Sequence, residues 1–130
     1  MHANVLIKDQ TFDQVSKLLT LIGQPARIQI LLVISGQDAC VCHFEAVLGM
    51  RQASISQHLM VLRKAGLVST HRDGRNIFYH LMHPEVIDVL REAGKLSGIN
   101  DETFSSLKIR PIQGCSCPQC NPDFCPGSKC

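Results

Sequence analysis

Residues 52–81 read QASISQHLMVLRKAGLVSTHRDGRNIFYHL, and the hydrophobic period changes near the middle of this run. The first part repeats apolar residues at the spacing of one helical face, at Ile55, Leu59 and Leu62. We predict a helix there that ends at Gly66. The second part alternates on both sides of Asp73 and Gly74, which predicts a β-hairpin whose turn takes its positive φ angles from these two residues.

Helical patterns also precede this run. A first helix is expected from a capping-box pattern at Thr11 to near Gly23, and Pro25 suits the first turn of a second helix. A short third helix is expected over Val41–Leu48, closed by Gly49. Because only a brief turn separates the third helix from the fourth, the two are predicted to form a helix-turn-helix.

The rest of the chain divides into one more helix and a tail. Pro84 opens the last helix, whose apolar stripe we expect to have few partners within the chain and therefore to suit burial against a second copy. From about residue 108 onward Pro, Gly, Cys and Ser dominate, and no periodicity remains. The expected organisation is a mainly α domain with a β-hairpin over residues 1–107, followed by a cysteine-rich tail over residues 108–130.

Basic charge is concentrated in the middle of the sequence. The chain has a formal net charge of +2, yet residues 51–82 hold five Lys and Arg side chains against a single Asp. Charge alone is compatible with a solvated face, but a basic helix-turn-helix beside a hairpin indicates double-stranded DNA as the partner. Candidate DNA contacts lie on the outward side of the fourth helix and at the hairpin tip: Arg51, Gln52, Ser54, Ser56, Gln57, His58, Arg63, Lys64, Arg72 and Arg75. Among them, His58 is the residue whose spacing also predicts packing beside Leu59.

The cysteine content needs a separate explanation. The chain has seven cysteines, an odd count, and no apolar run reaches the roughly 18 residues that cross a bilayer. We therefore expect a cytoplasmic protein without membrane contact. In a reducing compartment, so many thiols indicate thiol chemistry or binding of a soft metal rather than a complete disulfide framework.

Cys40 and Cys42 stand at the start of the predicted third helix. Within a helix, residues two apart point about 200° away from each other, so joint use of both thiols requires an extended or half-turned backbone at this point. The helix dipole favours thiolates near its N-terminus. The alternative is that both cysteines are small side chains that fill the core.

Two thiolates do not complete a trigonal or tetrahedral site, so a further ligand has to come from elsewhere. Five cysteines crowd the end of the chain: Cys115, Cys117, Cys120, Cys125 and Cys130. The tail could deliver some of them to Cys40 and Cys42, fold alone around zinc, or form disulfides and sense oxidants. A redox enzyme is disfavoured because no strand-to-helix context surrounds Cys117 and Cys120.

Four segments within residues 24–81 match a known family: DACVCH at 38–43, ASISQHLMVLR at 53–63, AGLV at 65–68 and RDGRNIFY at 72–79. They resemble the winged-helix repressors of the ArsR/SmtB class. The resemblance implies a winged helix-turn-helix homodimer that is not an enzyme, occupies operator DNA and leaves it when an inducer binds. It also implies that Cys40-Val41-Cys42 is the inducer box, where a bound ion disturbs the helix that supports the DNA-reading helix.

The sequence departs from that family in two respects. Some arsenic-responsive relatives have another cysteine where this chain has Glu45, and cadmium and lead sensors use an N-terminal extension, whereas residues 1–39 contain no cysteine. On the last helix, Leu90 stands where the family's second metal site has a histidine two residues after Asp88. A zinc site on that helix is therefore not expected.

Together these observations predict a repressor that a thiophilic ion releases from its operator. The expected ligands are Cys40 and Cys42 with tail cysteines drawn from Cys115, Cys117 and Cys120. Sulfur ligands favour As(III), Sb(III), Cd(II) or Pb(II), with Zn(II) less favoured. The alternatives are a regulator of the same fold that responds to oxidants or reactive sulfur, and a metal-sequestering protein.

Overall fold

The computed structural model describes residues 9–102, which form a helical domain with a three-stranded antiparallel sheet. The helices are α1 Asp9–Ile22, α2 Pro25–Val33, α3 Val41–Leu48, α4 Gln52–Lys64 and α5 Glu85–Leu96. The strands are β1 Ala39–Cys40, β2 Val68–Asp73 and β3 Asn76–Leu81, and β3 is the central strand. The predicted winged helix-turn-helix is confirmed, with α3 and α4 as the helix-turn-helix and the β2–β3 hairpin as the wing. The predicted domain boundary after residue 107 lies outside the described residues.

The hydrophobic core holds α4 by its inner side. Ile55, Leu59 and Leu62 are each 0% exposed, as their spacing predicts. They share one buried cluster with Leu31 of α2 and Phe44 of α3. Burying one such side chain contributes about 1.5–3 kcal/mol. The opposite side of α4 is consequently left to solvent in a fixed orientation.

Glycine fixes the ends of α3 and α4. Gly49 follows α3 with a φ of 67°, and Gly66 follows α4 with a φ of 83°. After α4, the amide of Leu67 donates to the carbonyl of Leu62 and the amide of Gly66 donates to that of Arg63. This pair of bonds is the Schellman pattern, which requires the left-handed conformation that glycine adopts without strain. The chain thereby turns directly from α4 into the wing.

The wing turn differs in one detail from the prediction. Asp73 pairs with Asn76, so the two turn residues are Gly74 and Arg75. Only Gly74 has a positive φ, of 67°, and Asp73 remains part of β2. The expectation that Asp73 also adopts a positive φ is wrong. A left-handed first turn residue followed by one with negative φ matches the signs of a type II′ turn.

The apolar stripe of α5 packs inside this chain, contrary to the sequence-based expectation. Val86, Ile87 and Leu90 are buried in the core because α5 packs against α2. Val89 and Leu96 of the same helix are exposed. The last helix therefore closes the core and leaves only part of its apolar surface uncovered.

Four exposed apolar side chains lie on α1: Phe12, Val15, Leu18 and Leu19. This helix contacts α2 through its C-terminal end, where Ile22 is buried, while Phe12 is 59% exposed and Val15 is 53% exposed. Backbone at Asp9 is already helical, so Thr11 lies inside α1 and does not cap it as predicted. None of the helices within residues 9–102 has the length and apolar character needed to span a bilayer.

Candidate DNA-contacting face and thiol site

The two thiols of the Cys-Val-Cys segment converge on one point. Cys40 Sγ and Cys42 Sγ lie 2.8 Å apart. Cys40 ends β1 in an extended conformation, with φ −93° and ψ 167°, and α3 begins only at Val41. The structure thus contains the extended backbone that joint use of two cysteines two residues apart requires. We call Cys40 and Cys42 the thiol pair.

One side of the thiol pair is buried and the other is accessible. Cys40 is 3% exposed and pairs with Phe78 in the register of β1 and β3, whereas Cys42 is half-buried. The next residue, His43, is fully buried, and burial lowers the pKa of its imidazole. Solvent therefore reaches the pair from the side of Cys42.

The described part of the chain supplies the thiol pair but not a complete metal site. Across residues 9–102, no three His, Cys, Asp or Glu side chains are arranged so that they could hold one metal ion. The predicted tail ligands Cys115, Cys117 and Cys120 lie outside the described residues. Soft-metal sites usually need three or four ligands, so two thiols at one point form part of such a site.

The thiol pair stands on the helix that supports α4. Cys42 and Phe44 both lie in the first turn of α3, and Phe44 belongs to the core cluster that includes Ile55 and Leu59 of α4. The ring of Phe44 also meets the ring of Tyr79 edge-on, with centroids 6.5 Å apart. A displacement of the first turn of α3 would consequently disturb both the packing beneath α4 and the central strand of the wing sheet.

The predicted DNA contacts on α4 and the wing share one property, which is that most are open to solvent. Exposed side chains are those of Arg51, Gln52, Gln57, Arg63, Lys64, Arg72 and Arg75. Ser54 and Ser56 are half-buried on the same helix. Long, hydrogen-bonding and basic side chains on the outer side of a rigidly packed helix can reach phosphates and base edges in a major groove.

His58 is turned toward α2. Arg27 donates from Nε to His58 Nδ1 over 3.2 Å and from Nη1 to the carbonyl of Leu21 over 3.0 Å. Burial, and then the positive charge of Arg27, lower the pKa of His58. Arg27 thus ties α4 to the end of α1 through His58. Half-packing of this histidine was expected from its spacing, but no local pattern pointed to Arg27.

A cluster of three polar side chains at the base of the wing had no sequence signal. Asp38, just before β1, accepts hydrogen bonds from His71 Nε2 over 2.7 Å and from His80 Nδ1 over 2.8 Å. Burial alone would raise the pKa of Asp38, but hydrogen bonds from His80 and His71 and the charge on those rings hold it below its ordinary value. The cluster joins the segment that leads into the thiol pair to both strands of the wing.

Comparison with known proteins gives a consistent set of relatives. The family model for "Bacterial regulatory protein, arsR family" matches residues 24–70. The chain is 30% identical over 92 residues to the transcriptional repressor SmtB homolog of Synechocystis sp., which covers 71% of this chain and 69% of the relative. It is 34% identical over 87 residues to the transcriptional regulator NmtR of Mycobacterium tuberculosis, covering 67% of this chain and 72% of the relative. Both relatives are named as regulators, which confirms the prediction that the chain is not an enzyme.

Solved structures agree with this assignment. The crystal structure of NolR from Sinorhizobium fredii superposes with a TM-score of 0.62 at 26% sequence identity. The match covers 71% of this chain and 95% of NolR. The arrangement of helices and wing described above is therefore one that an experimentally determined structure also contains.

The link between Arg27 and His58 predicts acid sensitivity. Burial and the positive charge of Arg27 lower the pKa of His58, whose neutral ring accepts a hydrogen bond from Arg27 Nε, so the folded state binds a proton less readily than the unfolded chain does. The free energy of unfolding should therefore fall as the pH drops below about 6.5. His58→Gln keeps a hydrogen-bond acceptor but does not titrate. Chemical denaturation should therefore show that the free energy of unfolding falls less between about pH 7 and pH 5 in His58→Gln than in wild type.

The matched control for this experiment is His83→Gln, because His83 is an exposed histidine at the start of α5. His43, whose pKa is also lowered by burial, contributes equally to all three proteins. Equal pH dependence in wild type, His58→Gln and His83→Gln would contradict the assignment.

Proposed function

Since the chain belongs to the ArsR family of bacterial regulatory proteins, we propose that it is a transcriptional repressor whose grip on operator DNA is released when a thiophilic metal or metalloid ion binds Cys40 and Cys42. The observation that carries this proposal is the 2.8 Å separation of the two sulfurs at the start of α3. Cys40 and its strand partner Phe78 are buried but lie outside the main core cluster. This position favours a ligand role over simple filling of the core.

Operator binding is assigned to α4 and the wing. Gln52, Ser56 and Arg63 form one stripe along α4 beside the buried stripe, with Gln52 and Arg63 exposed and Ser56 half-buried, where they suit base edges and phosphates in a major groove. Arg72 and Arg75 at the wing tip suit the adjacent backbone or groove. The protein acts in this proposal on double-stranded DNA in the cytoplasm.

The chemistry of the thiol pair sets the class of inducer. Thiolate sulfur favours soft ions, so As(III), Sb(III), Cd(II) and Pb(II) are the proposed inducers, with Zn(II) less favoured. When bound, such an ion would form strong bonds to the thiolates of Cys40 and Cys42. The remaining ligands are assigned to the tail, with Cys115, Cys117 and Cys120 as the candidates.

The residues of this chain supply the route to α4. Ligation would fix Cys42 in the first turn of α3, and Phe44 in the same helix packs under α4 in the core cluster. Closely packed side chains transmit small displacements because few voids absorb them. A coupling of about 1–3 kcal/mol between the ion and DNA is sufficient to weaken operator binding about 5- to 150-fold.

A homodimer is the proposed assembly. The exposed apolar stripe of α1, formed by Phe12, Val15 and Leu19, is a surface that a second copy would cover. Val89 of α5 is also 40% exposed and extends the apolar surface. A two-fold dimer would present two copies of α4 to two half-sites of an operator.

The same sulfur contact supports a second candidate, a repressor that senses oxidants. Loss of two protons and two electrons to an oxidant would join Cys40 and Cys42 in a disulfide. Such a protein would release its operator only after oxidation. The metal-responsive repressor would release it in the presence of a reductant as soon as the ion is added, so strict anaerobic reduction separates the two.

Arg75 tests the assignment of the wing to DNA. Replacing Arg75 with Ala should weaken binding to an operator selected by the wild-type protein from random DNA. The slope of log K against log salt should become shallower by about 0.9 if one phosphate contact is lost. Fluorescence anisotropy at several salt concentrations measures both quantities. Arg91→Ala is the control: Arg91 lies on α5 and pairs with Asp88, so this variant loses the same charge away from the wing and should keep the wild-type slope. An unchanged slope for Arg75→Ala would show that the wing tip does not contact DNA phosphates.

The thiol pair is tested by single substitutions. Cys40→Ser and Cys42→Ser keep the size of the side chain, so the operator affinity of the ion-free protein should be little changed. Both variants should lose the fall in affinity that Cd(II) or arsenite causes in wild type under reduction. Cys125→Ser, which removes a cysteine that is not assigned as a ligand, serves as the control and should respond like wild type. A full response in both Cys40→Ser and Cys42→Ser would assign the pair to packing.

Two deletions test the tail. Removing residues 113–130 eliminates all five tail cysteines, whereas removing residues 121–130 leaves Cys115, Cys117 and Cys120. The longer deletion should weaken Cd(II)-dependent release of operator DNA, because the thiol pair loses its additional ligands, and the shorter one should retain release. Anisotropy titrations with Cd(II) compare the three proteins. An unchanged response after the longer deletion would make the tail an independent module.

A further inference from the structure

One face of the wing sheet connects the thiol pair to the wing. In the strand register, Cys40 lies opposite Phe78, and Phe78 lies opposite His71. Residues two apart on a strand share a face, so Asp38 belongs with Cys40 and His80 belongs with Phe78. The face thus runs from the segment before the thiol pair across the central strand to the outer strand of the wing.

Direct contacts join the members of this face. Asp38 holds His80 on β3 and His71 on β2 through its two carboxylate oxygens, at 2.8 Å and 2.7 Å. The His71 ring stacks on the ring of Phe78, with centroids 5.6 Å apart and an interplanar angle of 16°. Phe78 is buried next to Cys40 in the register. Both wing strands are therefore linked to the residue that lies two positions before the first thiol.

We propose that Asp38, His71 and His80 form a clamp that couples the thiol pair to the wing, so that ion binding repositions the DNA-contacting hairpin as well as α4. Asp38 acts in this account through the wing strands: it transmits a movement of the thiol pair to Arg72 and Arg75, whereas the pairing of β2 with β3 itself holds these arginines in the absence of the ion. The inference rests on the proposed function of the thiol pair. It adds a second route to DNA that does not pass through α3 and α4.

The exposure of the clamp distinguishes coupling from stability. The side chains of His71 and His80 are 51% and 53% exposed, and that of Asp38 is 31% exposed. Ion pairs with this exposure contribute little to the free energy of unfolding. The hydrophobic core is formed by other residues and does not include Asp38, His71 or His80. Loss of the clamp should thus leave a folded protein that binds DNA and the ion but transmits the signal poorly.

Asp38→Ala provides the test, with Cd(II) as the probe under anaerobic reduction. Operator affinity is measured with and without saturating Cd(II), and Cd(II) binding is followed by its thiolate absorption. Wild type should show a ratio of about 5 to 150 between the two dissociation constants. In Asp38→Ala the ratio should fall to less than about a third of the wild-type value, while the absorption and the ion-free affinity change little.

Three further proteins sharpen the test. Asp38→Asn should retain most of the ratio, since the amide oxygen can accept a hydrogen bond from one ring and the amide nitrogen can donate one to the other. His80→Ala removes one of the two bonds and should give an intermediate ratio. Glu92→Ala removes a carboxylate that pairs with Lys95 on α5 and should behave as wild type. The backbone amide signal of Gly74 at the wing tip should shift with Cd(II) in wild type and Glu92→Ala, and much less in Asp38→Ala.

The outcomes separate the two proposals. If wild type keeps its operator affinity when Cd(II) or arsenite is added, the proposed function fails. If wild type responds and Asp38→Ala responds with the same ratio and the same Gly74 shift, the clamp does not couple the sites and only this inference is overturned. Should Asp38→Ala fold poorly, His80→Ala and Asp38→Asn decide the question, because equal ratios in wild type and His80→Ala overturn it as well.

Discussion

Antiparallel pairing of β1 with β3 is the constraint on which the site depends. Ala39 pairs with Tyr79 and Cys40 with Phe78, which keeps the chain extended through Cys40 and delays the start of α3 to Val41. A helix that began earlier would direct the two thiols to opposite sides. The two-residue strand β1 thus brings the two thiols together. Because β1 pairs with the central strand β3, it also makes the thiol pair part of the wing sheet.

The two DNA-contacting elements are attached to this constraint in different ways. α4 rests on buried side chains that it shares with α3, whereas the wing is an extension of the sheet that contains β1. Core packing resists displacement, since its contacts are dense, while the hairpin tip at Gly74 and Arg75 is exposed to solvent. Small displacements at the thiol pair can therefore affect both α4, which is rigidly packed, and the wing, which is more adaptable.

Local patterns in the sequence predict much of this arrangement. The spacing of Ile55, Leu59 and Leu62 defines the buried side of α4, and Gly66 marks its end, because helix period and left-handed backbone are local properties. The bonds from Asp38 to His71 and His80 span 33 and 42 residues and depend on strand register, so no local pattern indicates them. Burial of the α5 stripe likewise depends on how α2 and α5 pack.

The central claim is that an ion held by the thiol pair loosens operator binding. Titrating Cd(II) into the wild-type protein bound to labelled operator, under anaerobic reduction, tests it most directly when thiolate absorption and DNA anisotropy are recorded from the same sample. The account predicts that the two signals change together and saturate at the same ratio of Cd(II) to protein. Saturation of the thiolate absorption with the anisotropy unchanged would contradict it.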